Sequence, residues 1–416
     1  MIKTFSEKRI SCSIIRKSLL LAVIAALLSC NGILSAIKGN SSEWSENEDE
    51  QGEPPGNEGE EGDPLEPPGN EGEEGDPPEP PGNEGEEGDP PEPPGNEGGK
   101  KLRVNGPLLE YGKDGGYTPV VLRGVNVGDL YHFKKFTIKP PDYAYIADAK
   151  TMNANCVRIA VHPNLWKAEK AKVFEYLKQN VQDALNAGLF VIIDYHTIGF
   201  PDGYKQELND KVIAYDSTFT LAEDFWDTVS RDIKDGRVLL ELWNEPVSER
   251  FTANPAAMWK ALKPYWEKLI KIIRDNGNDC VVLAGGDYWT YELRGIRDNL
   301  LQDANTAYTW HIYGNHDRNI SALWEMRLDR LNEVRPVVVT EWGFSTNPAE
   351  FEYASIQDFA NKFVPGFLTA KNLHSLAWGY DPFYTPSMLS NGNYARLSEY
   401  GQYVVDYLRS CAQERP

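Results

Sequence analysis

Eight short apolar runs rich in β-branched residues punctuate the sequence between residues 100 and 416, at 120–126, 156–161, 190–195, 238–243, 280–284, 307–312, 337–340 and 375–378. Stretches of helical hydrophobic period lie between them, at 168–187, 221–234, 255–275, 320–331 and 355–370, with a closing one near 397–409. A hairpin over 102–104 and 108–111 precedes the first run. Eight strands, each followed by a helix, is the arithmetic of an α/β fold of the (β/α)8 TIM barrel type, one domain spanning 100–416. A doubly wound open sheet is the competing architecture, but no Gly-rich phosphate loop follows the first strand. In a barrel, reactive groups gather at the C-terminal ends of the strands.

Two of those ends deliver a carboxylate. The fourth run passes through Glu241, Leu242 and Trp243 into Asn244 and Glu245, and Pro246, which cannot donate to a sheet ladder, then ends the strand. The seventh run, Val337-Val338-Val339-Thr340, delivers Glu341, followed at once by Trp342 and Gly343. Paired acids of this kind are what glycoside hydrolysis needs, one to protonate the leaving oxygen and one to attack or to activate water. Either glutamate alone also reads as a helix cap or an arginine partner. The company they keep decides between these readings: Arg158 in the second run, Asp194-Tyr195-His196 ending the third, His311-Ile312-Tyr313 ending the sixth, and Trp378 ending the eighth. Singly, Arg158 reads as a structural ion-pair partner, His196 and His311 as core histidines, and Tyr313 and Trp378 as packing. Buried strand ends seldom carry so many polar side chains without use, so their convergence favours a site.

The chain ahead of this domain differs in composition. Residues 1–30 read as an export signal: Lys3, Lys8, Arg9, Arg16 and Lys17 precede an apolar stretch over 19–28 that is too short to span a bilayer. That stretch closes on Leu27-Leu28-Ser29-Cys30, which resembles a bacterial lipobox, so Cys30 is the expected lipidation site and an ordinary secretory signal the alternative. Residues 31–99 read as a disordered acidic linker. A 13-residue unit beginning at Glu53 restarts at Glu66, Glu79 and Glu92, and 41–99 hold 22 acidic side chains and no basic one. Pro, Gly and like charges with scarcely an apolar side chain cannot offset chain entropy, so this segment is a tether. Most of the formal charge of −21 sits there; the domain itself carries about −4, which implies no nucleic-acid face, and the expected membrane contact is a lipid anchor only. Cys156, Cys280 and Cys411 are an odd number, two of them opening strand runs, and read as free thiols rather than a disulfide framework.

From about 123 to 407 the sequence resembles the catalytic domain of the cellulase family, family 5 of the glycoside hydrolases in clan A. The likeness is carried by Arg123-Gly124-Val125-Asn126, Arg158, Asp194-Tyr195-His196, Trp243-Asn244-Glu245-Pro246, His311-Ile312-Tyr313, Thr340-Glu341-Trp342-Gly343 and Ala377-Trp378. The resemblance implies a retaining hydrolase with Glu245 as acid/base, Glu341 as nucleophile and Asn244 on the sugar 2-hydroxyl. It further implies Tyr313 bonded to the nucleophile, Arg158 supporting its charge, His196 and His311 around the cleavage subsite, and Trp378 as the sugar platform. No cofactor or metal is implied. Trp166, Trp289, Trp342, Tyr131, Tyr204 and Tyr384 either line further subsites or pack. The segment Gly379-Tyr380-Asp381-Pro382-Phe383-Tyr384 departs from the commonest endoglucanase pattern, and His316 has no assigned role. The expected protein is an exported, monomeric endo-β-1,4-glucanase on a lipid-anchored stalk, with β-mannan, xyloglucan or β-1,3-glucan as alternative substrates. A glycan-binding barrel without catalysis is the reading from another class.

Overall fold

The computed structural model describes residues 99–135, 144–203, 216–248, 254–315 and 321–411. The expected export signal, Cys30, the acidic repeat, Tyr204 and His316 lie outside the described residues.

Three antiparallel strands open the domain: β1 (Lys101–Asn105), β2 (Leu108–Lys113) and β3 (Gly116–Pro119). The third of these was not expected from sequence, because its Gly-Tyr-Thr-Pro run is short and three of its four residues are exposed. Eight parallel strands follow and close on themselves: β4 (Arg123–Asn126), β5 (Cys156–Val161), β6 (Phe190–Tyr195), β7 (Val238–Glu241), β8 (Val281–Gly285), β9 (Thr306–Tyr313), β10 (Val337–Gly343) and β11 (His374–Ala377). All eight expected runs are present. Side chains alternate between the barrel interior and the helical layer, as period-two strands require. The interior set comprises Cys156, Phe190, Ile192, Leu239, Val281, Leu283, Ala307, Val338 and Leu376, joined by Leu102, Leu109 and Tyr111 from the opening sheet. The opening sheet therefore closes the N-terminal end of the barrel. Gly236 makes that closure possible, since a Cβ there would lie 2.7 Å from the Lys101 Cα.

The outward residues, among them Val157, Ile159, Val191, Ile193, Leu240 and Val282, form one continuous core with the helices. These are α1 (Leu130–Lys135), α2 (Ala144–Thr151), α3 (Pro163–Asn186), α4 (Phe219–Asp232), α5 (Pro255–Asp275), α6 (Ser321–Leu328), α7 (356–369, partly π-type) and α8 (Glu399–Ser410). The short α1 and α2 have too few turns to show a period in sequence. One part of the expected alternation fails: β8 is not followed by an α-helix. Residues 286–305 instead form a loop with a single 3-10 turn at Arg297–Asn299, interrupted by Gly286 and Gly295. Side chains of α5 hold it, Trp259 donating to the Asn299 carbonyl at 2.7 Å and Lys263 to the Leu300 carbonyl at 2.7 Å. Cys156 and Cys280 are buried free thiols and Cys411 is a half-buried one.

Candidate active site

A cluster of charged and polar side chains fills the barrel interior toward the C-terminal strand ends, above the apolar layers. Arg158 on β5 is the hub. Its Nε donates to Glu241 at 2.6 Å, its Nη1 to Asn126 at 2.8 Å and Glu341 at 2.7 Å, and its Nη2 to Asn244 at 2.8 Å and Glu241 at 3.2 Å. Asp194 on β6 lies 3.0 Å from the same Nη2. Arg158, Glu241 and Asp194 are fully buried. A buried charge is tolerated only when paired and hydrogen-bonded, and this guanidinium bridges β4, β5, β7 and β10 in one plane. Asn126 adds a second tie, donating to the carbonyls of Thr340 at 2.9 Å and Ala377 at 3.2 Å.

Glu341 reaches the interior because of an irregularity in β10. On the β9 side Val338 pairs with Thr309 and Glu341 with His311; on the β11 side Val339 pairs with Ser375 and Trp342 with Ala377. In both ladders β10 advances three residues while its neighbour advances two, so β10 carries one extra residue. Strict alternation would point Thr340 inward and Glu341 outward. With the bulge both face the interior: Thr340 Oγ1 donates to Glu241 at 3.0 Å, and Glu341 accepts from Arg158. Glu245 lies four residues past the last residue of β7, held by Glu245 N donating to the Thr197 carbonyl at 3.0 Å and Gly199 N to the Glu245 carbonyl at 3.1 Å.

His311 stands between the two acids. One oxygen each of Glu245 and Glu341 and one nitrogen of His311 all lie within 4.8 Å of one another. His311 Nδ1 donates to Glu245 at 2.9 Å, and Nε2 donates to Thr340 Oγ1 at 3.1 Å, which passes its own hydrogen to Glu241. Burial pulls the imidazole down, but Glu341, Glu241 and Glu245 outweigh it and push it up to about 10. As an imidazolium with both nitrogens donating, it has no lone pair for a cation, so these three groups do not suit a metal. Tyr313 donates to the second Glu341 oxygen at 2.6 Å. Burial opposes ionisation of both glutamates, with different outcomes. At Glu341 the charges of His311 and Arg158 prevail and hold the carboxyl below its ordinary range. At Glu245 burial, together with the Glu341 charge, prevails over His311 and pushes the carboxyl up. The arrangement displaces two nearby carboxyls in opposite directions, Glu245 toward its neutral form and Glu341 toward its anion.

Each expected site residue outside the leader is in this assembly. His196 accompanies them, its Nδ1 2.6 Å from Asp194 Oδ2 and its ring parallel to Trp378, centroids 5.5 Å apart and planes 5° from parallel. Tyr384 sits beside Trp378 at 6.0 Å and stacks on His162 at 6.0 Å. Trp166 and Trp342 are fully buried and pack: Trp166 against Phe225, Trp342 against Tyr400 and Tyr407. Tyr131 donates to Glu169 at 2.8 Å, and Trp289 is half-buried in the loop after β8. Sequence reading gave no role to Glu241 or Thr340, and it placed Asn126 and Asp194 only within strand motifs. The available signal was an Arg and a Glu at interior parity in otherwise apolar strands, which must find each other.

The sequence model of the cellulase family, glycosyl hydrolase family 5, matches residues 114–383. Endoglucanase A of Evansella cellulosilytica is 28% identical over 261 residues, which is 60% of this chain and 48% of that protein. Cellulase CelDZ1 of a Thermoanaerobacterium species is 26% identical over 274 residues, 62% of this chain and 65% of that protein. The chain thus spans about half to two thirds of the length of these relatives. Among solved structures, the β-glucanase SdGluc5_26A of Saccharophagus degradans superposes with a TM-score of 0.64 at 22% identity, covering 74% of this chain and 93% of that one. The catalytic domain of Thermobifida fusca endoglucanase Cel5A does so with a TM-score of 0.60 at 23% identity, covering 74% and 97%. Both structural likenesses speak to the barrel alone. The family match over most of the domain shows that this chain belongs to glycosyl hydrolase family 5, the cellulase family.

Proposed function

We propose that the protein is a retaining, endo-acting glycoside hydrolase whose substrate is a β-1,4-glucan. The observation that carries this reading is the pair Glu245 and Glu341, with oxygens within 4.8 Å of each other and opposite displacements from the ordinary carboxyl range. Carboxyl groups about 5–5.5 Å apart favour double displacement with retention, whereas inversion needs about 6.5–9.5 Å to seat a water. Glu341 is the nucleophile: it is the anion, and Arg158 and Tyr313 stabilise its charge from either oxygen. Glu245 is the acid that protonates the leaving oxygen and then the base that draws a proton from water. Asn244 accepts from Arg158 through its Oδ1, so its amide NH2 is the group left to donate to a sugar 2-hydroxyl. Trp378, stacked on His196, offers a rigid apolar face for a pyranose. The substrate is argued from the endoglucanases and cellulases among the relatives.

The same reading places this domain outside the cell, tethered through residues 31–99 to a lipid on Cys30, and acting as a monomer. Reducing-sugar release from carboxymethylcellulose, mixed-linkage β-glucan, β-mannan, xyloglucan and β-1,3-glucan tests the assignment. Preferred cleavage of β-1,4-glucan with a rapid fall in viscosity supports it. Preference for another member of the panel corrects the substrate, and inactivity on all of them favours a glycan-binding barrel.

A further inference from the structure

Asp194 is the fully buried acid in the cluster with the fewest donors. The guanidinium hydrogens of Arg158 are already committed: Nε–H and one Nη2–H to Glu241, the two Nη1–H to Asn126 and Glu341, and the other Nη2–H to Asn244. The 3.0 Å approach of Nη2 to Asp194 Oδ2 therefore brings charge but no hydrogen. Asp194 Oδ1 is buried with no hydrogen-bond partner among the described residues. The one remaining contact is His196 Nδ1, at 2.6 Å from Oδ2. A fully buried carboxylate with a single neutral donor is poorly stabilised, since an anion of this kind ordinarily gathers several.

We infer that Asp194 is held as a neutral carboxylic acid whose Oδ2–H donates to His196 Nδ1, fixing the imidazole as its Nε2–H tautomer.

The charges facing Asp194 agree. Arg158 on β5 and His311 on β9 are cations; Glu241 on β7 and Glu341 on β10 are anions; His196, on its own segment, is neutral. Even with Glu245 neutral, those two cations only balance those two anions, and an ionised Glu245 adds a third anion, so ionising Asp194 would leave uncompensated negative charge in a buried cluster in either case. Burial is the largest influence raising the Asp194 carboxyl well above its ordinary range, and Glu241 and Glu341 add to it against Arg158. Burial likewise pushes the His196 imidazole well below its usual range, so it does not take the proton itself. With Nδ1 turned to Asp194, Nε2 is at the far side of a ring clamped against Trp378. As an N–H it donates to a sugar oxygen; in the other tautomer it would only accept. Asp194 is thus a positioning residue acting through His196. Its part in turnover rests on the glycosidase reading above, but its protonation state does not.

The test combines spectroscopy with an isosteric substitution. Long-range 15N–1H NMR of the wild-type protein is expected to show His196 as the Nε2–H tautomer, and infrared difference spectra against Asp194→Asn to show the loss of a protonated carboxyl band. Asp194→Asn retains an N–H for His196 Nδ1, so the tautomer persists and kcat/KM on soluble β-glucan stays within ~10-fold of wild type. Asp194→Leu, which has no donor, loses the fixed tautomer. An Nδ1–H tautomer in the wild type, or no carboxyl band, overturns the inference. So does a loss well beyond ~10-fold in a folded Asp194→Asn protein, toward the ~10⁴-fold seen where an ionised Asp sets a histidine tautomer in serine proteases. Inactivity of the wild type on every polysaccharide would strike the glycosidase reading instead, leaving the spectroscopic result to stand.

Discussion

Replacing Arg158 with Met tests whether one guanidinium organises both the stability and the chemistry of the barrel mouth. Methionine roughly matches the length of the stem but removes the charge and every donor. Glu241 would keep only Thr340 as a described donor, and Glu341 would lose the 2.7 Å contact to its Oε1 while keeping Tyr313 and the charge of His311 at 3.5 Å. Breaking a buried ion pair by deleting one partner costs about 3–5 kcal/mol. At about 2–4 °C per kcal/mol for a domain of this size class, the melting temperature falls by about 6–20 °C. The sign of the kinetic effect follows from Glu341. Burial raises its carboxyl, and His311 and Arg158 lower it, so removing Arg158 moves it up. The nucleophile is then ionised only at higher pH, and the acidic limb of the kcat/KM profile shifts to higher pH. Thermal melting followed by circular dichroism, together with kcat/KM across pH on a soluble substrate, reads both. A second substitution, Glu241→Leu, removes the stranded acid and recovers part of the stability without restoring activity. A melting temperature within 2 °C of wild type, at a precision set by about 1 kcal/mol, or an unmoved acidic limb, would refute the argument.

The two glutamates fail differently when truncated. Glu245→Ala on an aryl glycoside with a good leaving group still forms the glycosyl-enzyme, and azide then yields a β-glycosyl azide; Glu341→Ala yields an α-azide by direct attack. On unactivated substrate each loses at least ~10²–10⁴-fold, and proton NMR of an α-adduct from Glu245→Ala would exchange the two roles. His374 accepts from Leu122 N–H through Nδ1 at 3.1 Å, and burial, aided by the Arg123 charge, pulls its imidazole down to about 3. Its folded value lies below its unfolded one, so its contribution is present above about pH 6.5 and is lost toward pH 3 at up to about 1.4 kcal/mol per pH unit. His374→Asn keeps an acceptor that does not titrate and should flatten urea-melt stability over that window; an equally steep dependence in the variant counts against it. Cys30→Ser should move the protein from the membrane fraction to the soluble one, unless the wild type already fractionates as soluble. A protein beginning at Lys100 should melt and turn over as the full chain does, and a fall in either would give the acidic repeat a role beyond spacing.

The barrel was legible because its eight strands are short, apolar and bounded, and because six of them are followed by a helical period. What escaped is what carries no period. Residues 286–305 contain aromatic and apolar side chains but also Gly286 and Gly295, and they are held by side chains of α5 rather than by a helix of their own. The site residues were legible as types at strand ends, which is enough to suggest an acid pair. The bulge in β10 was not. Val337, Val338, Val339, Thr340 and Glu341 read as one uniform strand, and the extra residue shows only in the ladders to β9 and β11.

That bulge also explains how one site holds so many acids. Glu241, Glu341, Glu245 and Asp194 meet two cations, Arg158 and His311, and those cations are shared unequally. Glu341, turned inward beside Thr340, gains the Arg158 hydrogen bond, the Tyr313 hydroxyl and the His311 charge together. Glu245, beyond the strand, gains His311 alone as a cation in contact and lies close enough to Glu341 to feel its charge. Glu241 matters through what it anchors: by taking two Arg158 hydrogens and one from Thr340, it fixes the guanidinium that holds Glu341 ionised. The division of labour proposed for Glu245 and Glu341 is therefore set below the cleft, by a strand irregularity and a buried glutamate that need not touch the sugar.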